Sequence, residues 1–215
     1  MEKTRLAVLV SGGGTNLQAI IDAIEAGRIP AEIGVVISSR NTAYALERAR
    51  QHNVPTCVIR PRDYPDVEAC EQALLDCLAA HRTDLVLLAG YMSVLGEGVV
   101  ARYPNRIMNI HPSLIPSFCG PGMYGERVHR EALAYGVKVS GCTVMFVDEG
   151  VDTGPIILQA AVPVHDDDTV ESLATRVLEQ EHRLYPEALR LFALGCLEVI
   201  GRHVKISRQE EEKND

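Results

Sequence analysis

The sequence predicts one α/β domain built on a doubly wound, mostly parallel sheet with a mixed C-terminal edge. Short apolar runs alternate with helical periods from Arg5 to about Ile110, the pattern of parallel strands joined by right-handed crossover helices. The first run ends in a glycine turn, Ser11-Gly-Gly-Gly-Thr-Asn16, that leads directly into a helical stripe. Late in the chain, two longer strand-like segments flank an acidic turn and give the sheet its mixed edge. A chain of 215 residues suits a single core, so we expect one Rossmann-like domain over 1–206 and a disordered acidic tail over 207–215.

Leu6 to Val10 reads as a strand buried on both faces, because continuous Val/Leu runs suit parallel sheets covered by helices. Thr15 is expected to cap the next helix, with Leu17, Ile20, Ile21 and Ile24 as its buried stripe and Gly27 as its stop. Ile33 to Ile37 completes a βαβ unit. A helix near Thr42 to His52, a strand near Thr56 to Ile59 and a helix near Val67 to His81 follow. Leu85 to Ala89 and Ile107 to Ile110 are further strands, and Val137 to Val147 and Pro155 to Val164 are the late ones. A long amphipathic helix from Thr169 to about Leu194 carries Leu173, Val177, Leu178, Leu184, Leu189 and Leu191.

Composition narrows the function. A net charge of −8 disfavours general nucleic-acid binding, which needs Lys and Arg to replace phosphate counterions. Met1 to Arg5 leads straight into a strand-length apolar run, so neither a leader nor a membrane span is expected. The six cysteines are scattered without a C-x-x-C pair and read as reduced thiols of a cytoplasmic protein, not as a metal site.

Three loops could carry chemistry. Glycines in Ser11–Asn16 let backbone amides face an anion at a helix N-terminus, and without a Walker A ending a phosphate monoester fits better than ATP or NAD. Asn109 and His111 are two apart at a strand end, so both side chains leave on one face before Pro112 stiffens the chain. Together they can offer hydrogen bonds to an oxygen that gains charge during acyl transfer. The turn Asp148-Glu-Gly-Val-Asp152-Thr-Gly-Pro155 could supply a carboxylate that orients the imidazole and favours its protonated form. Leu88 to Leu95 and Gln180 to Pro186 are weaker candidates. Covalent acyl-enzyme chemistry is disfavoured, since there is no Gly-x-Ser-x-Gly elbow and Cys119 has no obvious base.

Five segments, in order, resemble those of phosphoribosylglycinamide formyltransferases. They are Val10-Ser-Gly-Gly-Gly-Thr-Asn-Leu, Leu88-Ala-Gly-Tyr-Met, Asn109-Ile-His-Pro-Ser-Leu, Asp148-Glu-Gly-Val-Asp-Thr-Gly-Pro-Ile and Gln180-Glu-His-Arg-Leu-Tyr-Pro. The resemblance implies that Asn109, His111 and Asp152 are catalytic. It implies that Gly14, Thr15 and Asn16 bind the ribonucleotide phosphate, that Glu181 accepts from ribose hydroxyls, and that Gly90 and Pro112 flank this substrate. Met92, Ser93, Val94 and Leu95 would line a folate pocket together with Asn109, and Asp148, Glu149, Gly150 and Val151 would close over the pterin. The implied substrates are glycinamide ribonucleotide and 10-formyltetrahydrofolate, with no metal; a homodimer is compatible with the sequence.

The chain departs from that family's pattern at four places. Ser93 stands where an Arg is common, no Arg occurs near Val67 for the folate tail, and Met145 replaces a frequent His. The Phe118–His129 loop is longer than usual; Arg60 and Arg62 are the candidates to replace the missing tail arginine. Rival readings are a methionyl-tRNA formyltransferase, a formyltetrahydrofolate hydrolase and a non-catalytic phosphoribosyl-binding module. The first would need a basic C-terminal domain, and the second an N-terminal regulatory one.

Overall fold

The computed structural model describes residues 3–207, so the expected acidic tail lies, from residue 208 onward, outside the described residues. The strands are β1 (Thr4–Val10), β2 (Ala31–Ser38), β3 (Thr56–Val58), β4 (Leu85–Leu88), β5 (Ile107–His111), β6 (Val139–Phe146), β7 (Ile156–Pro163), β8 (Leu197–Ile200) and β9 (His203–Ile206). The helices are α1 (Thr15–Glu25), α2 (Tyr44–Gln51), α3 (Val67–Ala80), α4 (Glu97–Arg102), α5 (Glu126–Tyr135) and α6 (Val170–Ala193).

All strands join one sheet in the order β3-β2-β1-β4-β5-β6-β7-β9-β8. The first five strands pair in parallel, β6 then pairs antiparallel with β5, and β7 antiparallel with β6. The chain runs outward from β1 to β3 and then returns to β4 on its other side. That reversal opens a crevice beyond the C-terminal ends of β1 and β4.

Strand β1 shows why the sheet is covered on both faces. Leu6, Val8 and Val10 point into one core with Leu17 and Ile20 of α1, Leu46 of α2 and Tyr185 and Leu189 of α6. Ala7 and Leu9 point into the other, with Leu74 and Leu78 of α3 and Val99 of α4. The period-two alternation of an unbroken apolar run thus serves two layers at once. A third cluster joins Ala132 of α5, Cys142 of β6, Val162 of β7 and Leu173 and Val177 of α6.

The structure corrects several sequence expectations. Thr15 is not the cap of α1: it is an exposed first helical residue, and the N-cap is Gly14 in the left-handed region at φ 73° with no capping side chain. Helix α2 starts at Tyr44 rather than Thr42, because Ala43 before it is extended at ψ 121° and stands as its N-cap. Strand β5 runs one residue further than expected, since His111 still pairs with Thr143 of β6. Helices α4 and α5 and the β8–β9 hairpin were not foreseen.

Helix α6 ties the sheet to the crevice. Thr169 caps it, accepting from the Ser172 amide while the Ser172 hydroxyl accepts from the Thr169 amide. Sixteen residues on, the fully buried Tyr185 hydroxyl lies 3.1 Å from the Leu88 carbonyl and 2.9 Å from the Met108 carbonyl. These carbonyls end β4 and precede Asn109 of β5, so one phenol pins both strands where they enter the crevice.

Candidate active site

A cavity of about 700 Å³ opens along the C-terminal ends of β4 and β5. That is a volume suited to a ligand of cofactor size. Asn109 and His111 both line it, as their spacing on β5 requires. So do Asn16 after β1, Gly90 to Leu95 after β4, Pro112, Asp148 to Asp152 and Glu181. Gly14 and Thr15 stand apart: Gly14 turns the chain into α1, and Thr15 faces a second, smaller groove with Arg28, Arg48 and His182.

The cavity lining holds a buried imidazole between two acceptors. His111 is 4 % exposed, and its Nε2 donates to the Phe118 carbonyl at 2.9 Å. Its Nδ1 faces the Asp152 carboxylate at 3.6 Å, too long for a hydrogen bond but within ion-pair reach. Only a doubly protonated ring can offer a proton toward both oxygens. Asp152 sits in the turn after β6 at φ 58°, and its Oδ2 also accepts from the Gly120 amide at 3.0 Å. Within the same turn, Asp148 accepts from the Gly150 amide and the Thr153 hydroxyl, which fixes the strip that faces the cavity.

Elsewhere in the lining, the Asn16 amide donates to the Glu181 carboxylate at 2.7 Å. Burial pushes the Glu181 carboxyl above the usual range, and the bond from Asn16 partly offsets this. The Asn16 Oδ1 is enclosed without a partner among the described residues. Beside it, α1 begins without a capping side chain, so its first amides lack a side-chain partner at the positive end of the helix dipole.

One wall is apolar: Tyr91, Met92, Val94, Leu95, Val100 and Met145 form it. Met92 and Val94 are exposed in the folded chain, 46 % and 87 %, so this wall is a surface that a flat ring could cover. No Lys or Arg among the described residues lines the cavity, and Arg60 is paired with Asp63 instead. Among the described residues there is also no group of His, Cys, Asp and Glu placed to hold a metal.

Several lining residues escaped the sequence reading. Ala174 and Leu178 lie at helical spacing from Glu181 on α6; the sequence reading places Leu178 in the buried stripe and does not single out Ala174. Met123, Tyr124 and His129 come from the long loop and α5. His129 is 5 % exposed; burial, then the nearby His111, lowers its pKa, while Glu126 opposes the shift.

Fold and cleft together define a class: α/β proteins with a cavity at the C-terminal edge of a parallel sheet, lined by an Asn–His–Asp set. The formyl transferase family profile matches residues 4–189. The chain is 54 % identical to glycinamide ribonucleotide transformylase 1 from Symbiobacterium toebii, with a TM-score of 0.91 over 96 % of this chain and 95 % of that one. It is 42 % identical to phosphoribosylglycinamide formyltransferase of Haemophilus influenzae over 90 % of this chain and 89 % of that protein. The trifunctional purine biosynthetic protein adenosine-3 of Bos taurus is 44 % identical, but the chain spans only 19 % of its length. The chain belongs to the formyl transferase family.

Proposed function

We propose that this formyltransferase moves the formyl group of 10-formyltetrahydrofolate to the amine of 5′-phosphoribosylglycinamide, a step of de novo purine biosynthesis. The observation that carries the reading is the convergence of Asn109, His111 and Asp152 on one cavity. Its lining combines apolar side chains with the Asn16–Glu181 pair, and Asn16 is the second residue of α1. The apolar side chains suit a pterin, and the Asn16–Glu181 pair suits a ribose phosphate.

The chemistry follows from the donors. The substrate amine attacks the formyl carbon, forming the new C–N bond and placing negative charge on the formyl oxygen. The Asn109 amide donates to that oxygen. The Nδ1–H of His111, held 3.6 Å from Asp152, is the second donor, because an oxyanion competes well for a proton so loosely engaged. Asp152 balances the imidazolium and, through a water, relays the proton of the new ammonium to the departing folate nitrogen as its bond to the formyl carbon breaks. Gly14, Thr15 and Asn16 take the phosphate, Glu181 the ribose hydroxyls, and Gly90 and Pro112 flank the nucleotide. Met92 to Leu95 and the strip from Asp148 to Val151 hold the folate. Six free thiols are in keeping with a cytoplasmic setting.

The test is an absorbance assay with both substrates and Asp152→Asn as control. Turnover in wild type that the control lacks supports the reading. Folate consumption without the ribonucleotide would instead indicate a hydrolase. Phosphoribosyl binding without any turnover would leave a binding module.

A further inference from the structure

We infer that the segment Ser117–Gly120 is a positioning element for the His111–Asp152 pair, and that the Phe118 side chain is its anchor. This rests on the formyl-transfer reading above and concerns a loop that reading does not use. Two backbone groups two residues apart grip both ionisable partners: the Phe118 carbonyl accepts from His111 Nε2, and the Gly120 amide donates to Asp152 Oδ2. Phe118 at φ 49° and Gly120 at φ 93° turn the chain twice. Both turns lie at the residues whose polar groups meet the pair.

The grip is fixed from behind. The Ser113 hydroxyl donates to the Ser117 carbonyl at 2.6 Å, and the Ser117 amide returns to the Leu114 carbonyl at 3.0 Å. The Phe118 ring packs against the cluster of Ala132, Cys142, Val162, Leu173 and Val177, and meets the Tyr135 ring edge-on at 6.0 Å. The position of one carbonyl is therefore set by the α5–β6–α6 core. That carbonyl fixes a proton on Nε2 and so aims Nδ1 at Asp152, the kind of outer contact that sets which ring nitrogen meets the substrate.

Steady-state kinetics with both substrates on wild type, Phe118→Ala, Phe118→Met and Ser113→Ala test the assignment. Phe118→Ala should lower kcat roughly 10- to 100-fold, the scale of a small misplacement of reacting groups. Both KM values should stay within about threefold, because uniform binding is untouched. Phe118→Met, which refills the hydrophobic seat, should recover most of the loss. Ser113→Ala, which loosens the same segment without touching the ring, should lower kcat in the same sense. Unchanged kcat in the two alanine variants overturns the inference. So does a rise in kcat, which would make the carbonyl a plug on His111, or a rise in KM alone, which would make the loop a substrate wall. An inactive wild type overturns the formyl-transfer reading itself, and this inference with it.

Discussion

Asn16 and Glu181, 165 residues apart in sequence, share a buried hydrogen bond of 2.7 Å that joins the start of α1 to the middle of α6. The Glu181 carboxyl titrates above its ordinary range because burial disfavours its charge. A raised carboxyl pKa means the folded chain holds a proton that the unfolded chain has lost. Stability from this group is therefore full below the unfolded pKa and falls as pH rises through the folded one. Glu181→Gln should remove that dependence, so the difference in Tm between variant and wild type should grow in the variant's favour from acid toward neutral pH. Its new amide N–H can also meet the unpartnered Asn16 Oδ1. The same variant should raise the KM for the ribonucleotide and leave that for folate near wild type. Thermal melts across pH and separate KM determinations check both halves.

Asn109→Ala and His111→Ala should each reduce turnover by roughly 10² to 10³, the general scale for losing one oxyanion donor. Substrate affinities should change far less. If each variant kept turnover within about threefold of wild type, the oxyanion role would be wrong.

Gly14 has little room for a side chain. A Cβ there would lie 2.6 Å from the Ala45 Cβ and 2.8 Å from its Cα, on a backbone at φ 73°. Gly14→Ala should cost about 2 kcal/mol or more, combining left-handed strain with overpacking against α2. Weaker ribonucleotide binding should accompany it, since the same turn aims the first amides of α1. Denaturant unfolding and ribonucleotide titration measure the two effects.

Tyr185→Phe removes one hydroxyl and leaves the Leu88 and Met108 carbonyls without that donor. The expected loss is about 1 kcal/mol of stability. If the phenol registers β4 against β5, kcat should fall as well, although Tyr185 touches no ligand. A variant that melts lower yet turns over normally would show that its role ends at stability.

The central layers were legible because their signals were redundant. The apolar run of β1, the glycine turn and the α1 stripe each imply the others, and Leu17, Ile20 and Ile21 are buried as their spacing demands. Helix α5 was not legible: it follows a glycine-rich loop, starts at Gly125 without a capping side chain, and leaves Tyr135 81 % exposed. The four-residue strands β8 and β9 are too short to show a clear period. In the cleft, Asn109 and His111 could be found from spacing alone, since a strand places them on one face. His129 could not, because its approach to the cavity depends on α5. Thr15 misled for a local reason: a threonine before an apolar stripe reads as a cap, whereas the chain reaches α1 through the left-handed Gly14.

The sheet order carries a consequence for how the protein comes into being. Strand β1 precedes the other described strands in sequence yet lies inside the sheet between β2 and β4, and α1 packs in one core with the Tyr185 end of α6. Glu181, 165 residues after its partner Asn16, and Tyr185, which pins β4 and β5, are made late. A growing chain can assemble the β1–α1–β2 unit early, but it cannot bind a ribonucleotide through Glu181 until α6 has emerged and docked. Ribonucleotide capture on stalled nascent chains should therefore switch on only after α6 has docked, so that recognition waits on long-range packing rather than on the first βαβ unit.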